Sequence, residues 1–154
     1  MSDFMPPESR RRIMSAIKSK NTKPEVLLGS MMHRAGLRYR KHAKDLPGRP
    51  DFVFRSLKIA VFVDGDFWHG YKLHEWEHKL SPGYWDKKIK GNVERDCVNR
   101  EALRTAGWRV IRIWEHQLKN CPELMLKCVQ RTVRKSKEKM GNHIGTGPPV
   151  KSEA

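Results

Sequence analysis

Acidic residues are scarce in this chain of 154 residues: 17 Asp and Glu stand against 32 Lys and Arg, for a formal net charge of +15. Such a field attracts nucleic acid or an anionic membrane surface; the plainer reading is a very soluble basic protein. Long apolar runs are missing as well. No stretch approaches the roughly 20 residues that a membrane span requires, so a membrane partner is not expected. The first residues lack the apolar core of a signal peptide. Cysteine is sparse and odd in number, with Cys97, Cys121 and Cys128 at no zinc-like spacing. They read as reduced thiols in a cytosolic protein, and the expected location is the cytoplasm. No internal repeat is present.

The length suits one domain with a real core. Ser9 is placed to cap a short helix to about Ser19, with Ile13 and Ile17 on one face among Arg10, Arg11, Arg12, Lys18 and Lys20. Thr22-Lys23-Pro24-Glu25 is a capping box that opens a helix through Leu27, Leu28, Met31, Met32 and Ala35, stopped by Gly36. Leu37 to Lys41, Phe52 to Phe54 and Ile59 to Val63 read as strands, the last two joined as a hairpin through residues 55 to 58. Residues 64 to 80 form an aromatic and histidine-rich loop. A long helix runs from about Tyr84 to Ala106, with Ile89, Val93 and Cys97 as its stripe. Trp108 to Ile113 is a strand, and Pro122 begins a last helix with Leu124, Leu126 and Val129 as core residues. The order predicts a mixed sheet flanked by helices, an α/β fold. The expected organisation is a basic N-terminal segment over residues 1 to 20, one folded domain over 21 to 134 and a disordered polar tail over 135 to 154.

The chemistry concentrates at the ends of two strands. Asp51 follows Pro50 at the mouth of Phe52-Val53-Phe54, where a hard oxygen ligand suits Mg²⁺; taken alone it reads first as a surface aspartate that merely starts a strand. Asp64 and Asp66 lie two apart and share a face if the strand continues past Gly65. Their like charges call for solvent, a cation or Lys/Arg partners, and the sequence leaves those choices open. His69 lies just beyond, and a neutral imidazole can take a proton from an attacking water near pH 7. Phe67, Trp68, Tyr84 and Trp85 are core by default; beside a basic surface, loop aromatics can also stack on bases or wedge between base steps. Met14 is a further candidate wedge. His74 and His78 are four apart, half a metal site without further ligands.

At this point the residues resemble a known family. Arg12 to Ile17 with Asn21 to Glu25, Leu46-Pro47-Gly48-Arg49-Pro50-Asp51, Phe67-Trp68-His69, Gly91 to Asp96, and Ala106 to Val110 with Trp114-Glu115 look like the very-short-patch-repair DNA mismatch endonucleases, in the right order. The resemblance implies a restriction-endonuclease-like fold and Mg²⁺-dependent nicking of one strand 5′ of the thymine in a T:G mismatch. Such mismatches arise when 5-methylcytosine deaminates. It implies double-stranded DNA carrying that mismatch as substrate. Mismatch-repair proteins and a cytosine-5 methyltransferase system are the implied associates. A monomer is expected, because a mismatch lacks two-fold symmetry.

By motif, Asp51 matches the metal-binding aspartate and Val63 the position whose backbone carbonyl helps to hold metal. His69 matches the proposed general base and Glu25 the acidic residue of the first core helix, while Asp64 stands where some members have histidine. Phe67, Trp68 and Trp85 match the wedge that enters the duplex, and Met14 matches the segment that enters from the other groove. Arg10, Arg11 and Arg12 are expected to contact DNA phosphates. The family's zinc ligands fall at Asp66, near Tyr71 and Leu73, and near Gln117 with Cys121 a few residues beyond. These side chains make no closed thiolate and imidazole set, so a zinc of the family type is not expected. Two alternatives stand beside the mismatch reading. One is a strand-nicking relative of changed specificity in a restriction or defence locus; the other is a catalytically weak binder of distorted duplex.

Overall fold

A computed structural model of the chain describes residues 6–16, 21–80 and 82–144, with backbone alone for 13–16 and 143–144. Its elements are α1 (Pro7–Ala16), α2 (Lys23–Arg34), β1 (Arg40–Lys41), β2 (Phe52–Phe54), β3 (Ile59–Asp64), α3 (Leu73–Trp76), α4 (Tyr84–Thr105), β4 (Arg109–Trp114), α5 (Glu115–Asn120) and α6 (Pro122–Ile144). The strands form one sheet in the order β1-β2-β3-β4. β1, β2 and β3 pair antiparallel, and β3 and β4 pair parallel from Ile59↔Arg109 to Asp64↔Trp114. A parallel pair needs a long crossover, which α4 supplies. The arrangement is the restriction-endonuclease-like mixed sheet.

The period of two along β3 sorts its side chains. Ile59, Val61 and Val63 join Leu28 and Met32 of α2, Phe52 and Phe54, Ile113, Leu118 of α5, and Val129 and Val133 of α6 in one core. Ala60, with Phe62 alongside, faces the other way and packs with Val53, Ala43 and Leu103 of α4. The sheet is therefore covered on both faces, and its free edge of chemistry is the carboxyl end of β3.

Several expectations need correction. The first helix begins at Pro7 and not after Ser9; Ile17 to Ser19, and the side chains of Ile13 and Met14, lie outside the described residues. β1 is only two residues long. Cys97 is exposed, and Ile89 and Leu103 carry the buried stripe of α4. Leu124 is exposed and Met125 lies against the core. The last helix runs on to Ile144, past the boundary expected at residue 135; residues 145–154 lie outside the described ones. Strand β3 stops at Asp64, so Asp64 and Asp66 share no strand face.

Candidate active site

Thr22 caps α2, and Glu25 reaches back to the residue before the cap. Thr22 Oγ1 accepts from the Glu25 N–H at 3.5 Å, and Glu25 Oε2 accepts from the Asn21 N–H at 3.0 Å. Glu25 is thereby held, buried, at the rim of a cleft of about 550 Å³ that Asp51, Val63, Asp64, His69 and Asp96 also line. Asp51 stands one residue before β2, and its Oδ2 accepts from the Val63 N–H of β3 at 2.7 Å. Burial pushes the Asp51 carboxyl up to about 8, opposed by that N–H and reinforced by the charges of Glu25 and Asp64.

Asp64, at the end of β3, answers the choice left open in the sequence with an arginine: Arg112 Nε of β4 donates to its Oδ2 at 2.7 Å. On the far side, His69 Nδ1 lies 2.6 Å from Asp96 Oδ2 of α4, and His69 Nε2 lies 3.8 Å from Asp64 Oδ1. Burial disfavours the charged imidazole, but the Asp96 hydrogen bond and the charges of Asp64 and Asp96 outweigh it, against Arg112, and the His69 pKa is raised. Glu25, His42 and Asp51 form one group that could hold a metal ion, and Asp64, His69 and Asp96 form another; in each the ligand atoms lie within 4.8 Å of one another.

The structure thus brings Glu25, Asp51, Val63, Asp64 and His69 into one cleft. The aromatic residues divide. Phe67 is 46% exposed and stacks on Trp76 at 5.6 Å. Trp68 lines the cleft, with Asn92 Nδ2 donating to its carbonyl at 2.9 Å. Trp85 was expected in the wedge but is 9% exposed and lies 5.4 Å from Trp68, so it backs that ring from behind. Arg10, Arg11 and Arg12 are on α1, outside the cleft, and Arg10 sits 5.0 Å over the Tyr84 ring. Met14 lies outside the described side chains.

Sequence reasoning gave no role to Asp96, Arg112, His42 or Asn92. Asp96 and Asn92 lay in the Gly91 to Asp96 stretch that carries the resemblance, which was a signal; Arg112 and His42 offered none. His42 Nε2 lies 3.9 Å from Glu25 Oε2. Asp66 and Tyr71, which the resemblance sets at or near zinc ligands, both meet His116. Asp66 Oδ1 takes a hydrogen bond from His116 Nδ1 at 2.7 Å, and the Tyr71 ring lies 4.4 Å from His116 and 4.9 Å from Trp114. Gly70 lets this loop approach α4: with φ +68, an added Cβ would meet Val93 at 2.5 Å.

Residues 2–78 match the family described as DNA mismatch endonuclease Vsr. The type II nicking enzyme V.XorIIP of Xanthomonas oryzae pv. oryzae is 44% identical over 77% of this chain and 88% of that protein. The type II nicking enzyme V.HpaIIP of Haemophilus parainfluenzae is 37% identical over 85% and 95%. The DNA mismatch endonuclease Vsr of Escherichia coli is 34% identical over 80% of each. With half the chain matched by the family and relatives of 34% identity or more covering over three quarters of it, the protein belongs to the Vsr family of DNA mismatch endonucleases and is a DNA nicking endonuclease.

Proposed function

We propose that the protein nicks one strand 5′ of the thymine in a T:G mismatch, in a Mg²⁺-dependent reaction that starts very short patch repair. The observation that carries this reading is that Asp51 and His69 line one cleft with Trp68, whose ring lies 5.0 Å from the exposed Phe67.

The donor set fits a hard divalent cation. Asp51 offers a carboxylate oxygen and Val63 its carbonyl, the ligand types Mg²⁺ accepts beside substrate phosphate and water. The raised Asp51 pKa marks a carboxylate whose charge the surrounding residues do not neutralise. When bound, Mg²⁺ supplies an acidified water and a counter-charge for the phosphate. The protein supplies the rest. Asp96 engages Nδ1 of His69 and so leaves Nε2 as the atom that takes a proton from the attacking water. Glu25 adds negative charge beside Asp51. Phe67 and Trp68 separate the base step next to the mismatch, and Trp85 supports Trp68. A wobble pair stacks poorly, so opening its step costs less than at a matched pair.

The basic segment of residues 1 to 20, with Arg10, Arg11, Arg12 and Met14, holds DNA outside the cleft. No helix among the described residues is long and apolar enough to cross a membrane. The working setting is the cytoplasm, where the protein acts as a monomer beside a cytosine-5 methyltransferase and mismatch-repair proteins. Zinc of the family type has no part in it. Nicking assays on otherwise identical duplexes carrying T:G, C:G or another mismatch, with and without Mg²⁺, test this; equal nicking of C:G and T:G would refute it. The relatives named as type II nicking enzymes favour a second reading, a nicking enzyme of changed specificity serving a restriction or defence locus.

A further inference from the structure

We propose that Arg112 is a positioning residue for strand cleavage, holding Asp64 against His69 and away from the metal-binding corner at Asp51. The inference rests on the nuclease reading of this cleft and adds a residue that the reading does not use.

Arg112 pairs with Phe62 across β3 and β4, and its guanidinium reaches along the strand to Asp64. Its Cζ lies 4.0 Å from the Trp114 ring centroid, so the planar group is clamped between an indole and a carboxylate. Nη2 is buried, makes no hydrogen bond and lies 3.6 Å from Asp96 Oδ2. That same oxygen faces His69 Nδ1. One fixed cation therefore stands between the two carboxylates that flank a single imidazole.

The consequence is a division of labour among like charges. Asp64 commits Oδ2 to Arg112 and turns Oδ1 toward His69 Nε2 at 3.8 Å. That gap is too long for a direct hydrogen bond and short enough for both atoms to engage one water. Asp51 is left hydrogen-bonded to the Val63 N–H. Without the guanidinium, Asp64 and Asp96 would repel each other and compete for His69 and for any cation at Asp51. A purely structural role is less economical: β3 and β4 are already paired over all six residues from Ile59 to Asp64.

The test compares wild type, Arg112→Met, Arg112→Lys, Asp64→Asn and Asp64→Asn/Arg112→Met. Single-turnover nicking of an end-labelled T:G duplex, over a range of enzyme concentrations with Mg²⁺, separates the maximal rate from the apparent affinity. Duplex binding without Mg²⁺ and thermal melting are measured alongside. Folded Arg112→Met is expected to bind the duplex within about twofold of wild type and to lose roughly 10- to 100-fold in maximal rate, the usual loss when a group orienting a site residue is removed. Arg112→Lys should recover part of the rate, since an ammonium keeps the charge and lacks the fork. Adding Asp64→Asn to Arg112→Met should cost less than the two single losses multiplied. A folded Arg112→Met with wild-type rate, a loss confined to affinity, or independent effects of the two changes would overturn the inference. If Arg112→Met does not fold, Arg112→Lys decides: a rate loss at unchanged affinity supports the role and a wild-type rate refutes it. Failure of the wild type itself to nick T:G duplex would refute the reading of the site instead.

Discussion

Asp51 and Val63 are joined across two strands, the N–H of Val63 donating to Asp51 Oδ2 at 2.7 Å. The bond aims a carboxylate before β2 at the end of β3, where the backbone can share a ligand with it. Asp51→Ala should abolish nicking and leave mismatch binding largely intact. His69→Ala should slow the chemical step by about 10² to 10⁴-fold, the usual range for a lost general base. Near-normal cleavage by Asp51→Ala would sink the assignment.

The same carboxylate is a stability liability in the metal-free protein. Its pKa is pushed up to about 8 by burial, first of all, and by neighbouring Glu25 and Asp64. The folded state then binds a proton more tightly than the unfolded chain, so this group's contribution falls as pH rises from about 4 to about 8 and is flat beyond. Asp51→Asn should raise the stability of chelator-treated protein at pH 8 by roughly 2–5 kcal/mol and at pH 4 by little. Denaturant titrations at the two pH values would show it; an equal gain at both would refute the account.

Removing the rings of Phe67 and Trp68 tests how the mismatch is found. Phe67→Ala with Trp68→Ala should cut discrimination between T:G and C:G duplexes more than it cuts non-specific binding. Phe67 is exposed, whereas Trp68 packs between Phe67 and Trp85, so melting of the double variant must accompany the assay. A folded double variant with full T:G preference would rule out the wedge.

The loop that carries those rings is tied by Asp66–His116 and by Tyr71 against Trp114. Elemental analysis of purified protein should find less than one zinc per chain. Stoichiometric tightly bound zinc would contradict this and direct attention to His74, His78 and Cys121.

Deleting residues 1–20 removes Arg10, Arg11 and Arg12 and should flatten the salt dependence of DNA binding while weakening it, because each lost phosphate contact lowers the counterions released. An unchanged slope would make the segment a passive tail.

What could be read from the sequence was local. The Thr22 cap of α2 and the Phe54–Ile59 hairpin depend on neighbours in the chain, and both are present. The site was legible as far as its residues cluster between Asp51 and His69. Asp96 and Arg112 come from 27 and 48 residues further on than the partners they hold, and only the tertiary crossover through α4 brings them in. The end of α6 was misread because Lys, Arg and Glu suggest a solvated tail. Those straight-chain residues are also strong helix formers, and the buried positions Val129, Val133 and Ser136 continue one face.

Glu25 closes the cap of α2 with the same carboxylate that borders Asp51. Folding of that helix and assembly of the acidic corner are consequently one event. A change at Thr22, which bears no catalytic group, would loosen Glu25 and register as an enzymatic lesion. The local code that starts a helix and the chemistry that cuts a strand are thus under a single mutational constraint, and neither can drift without the other.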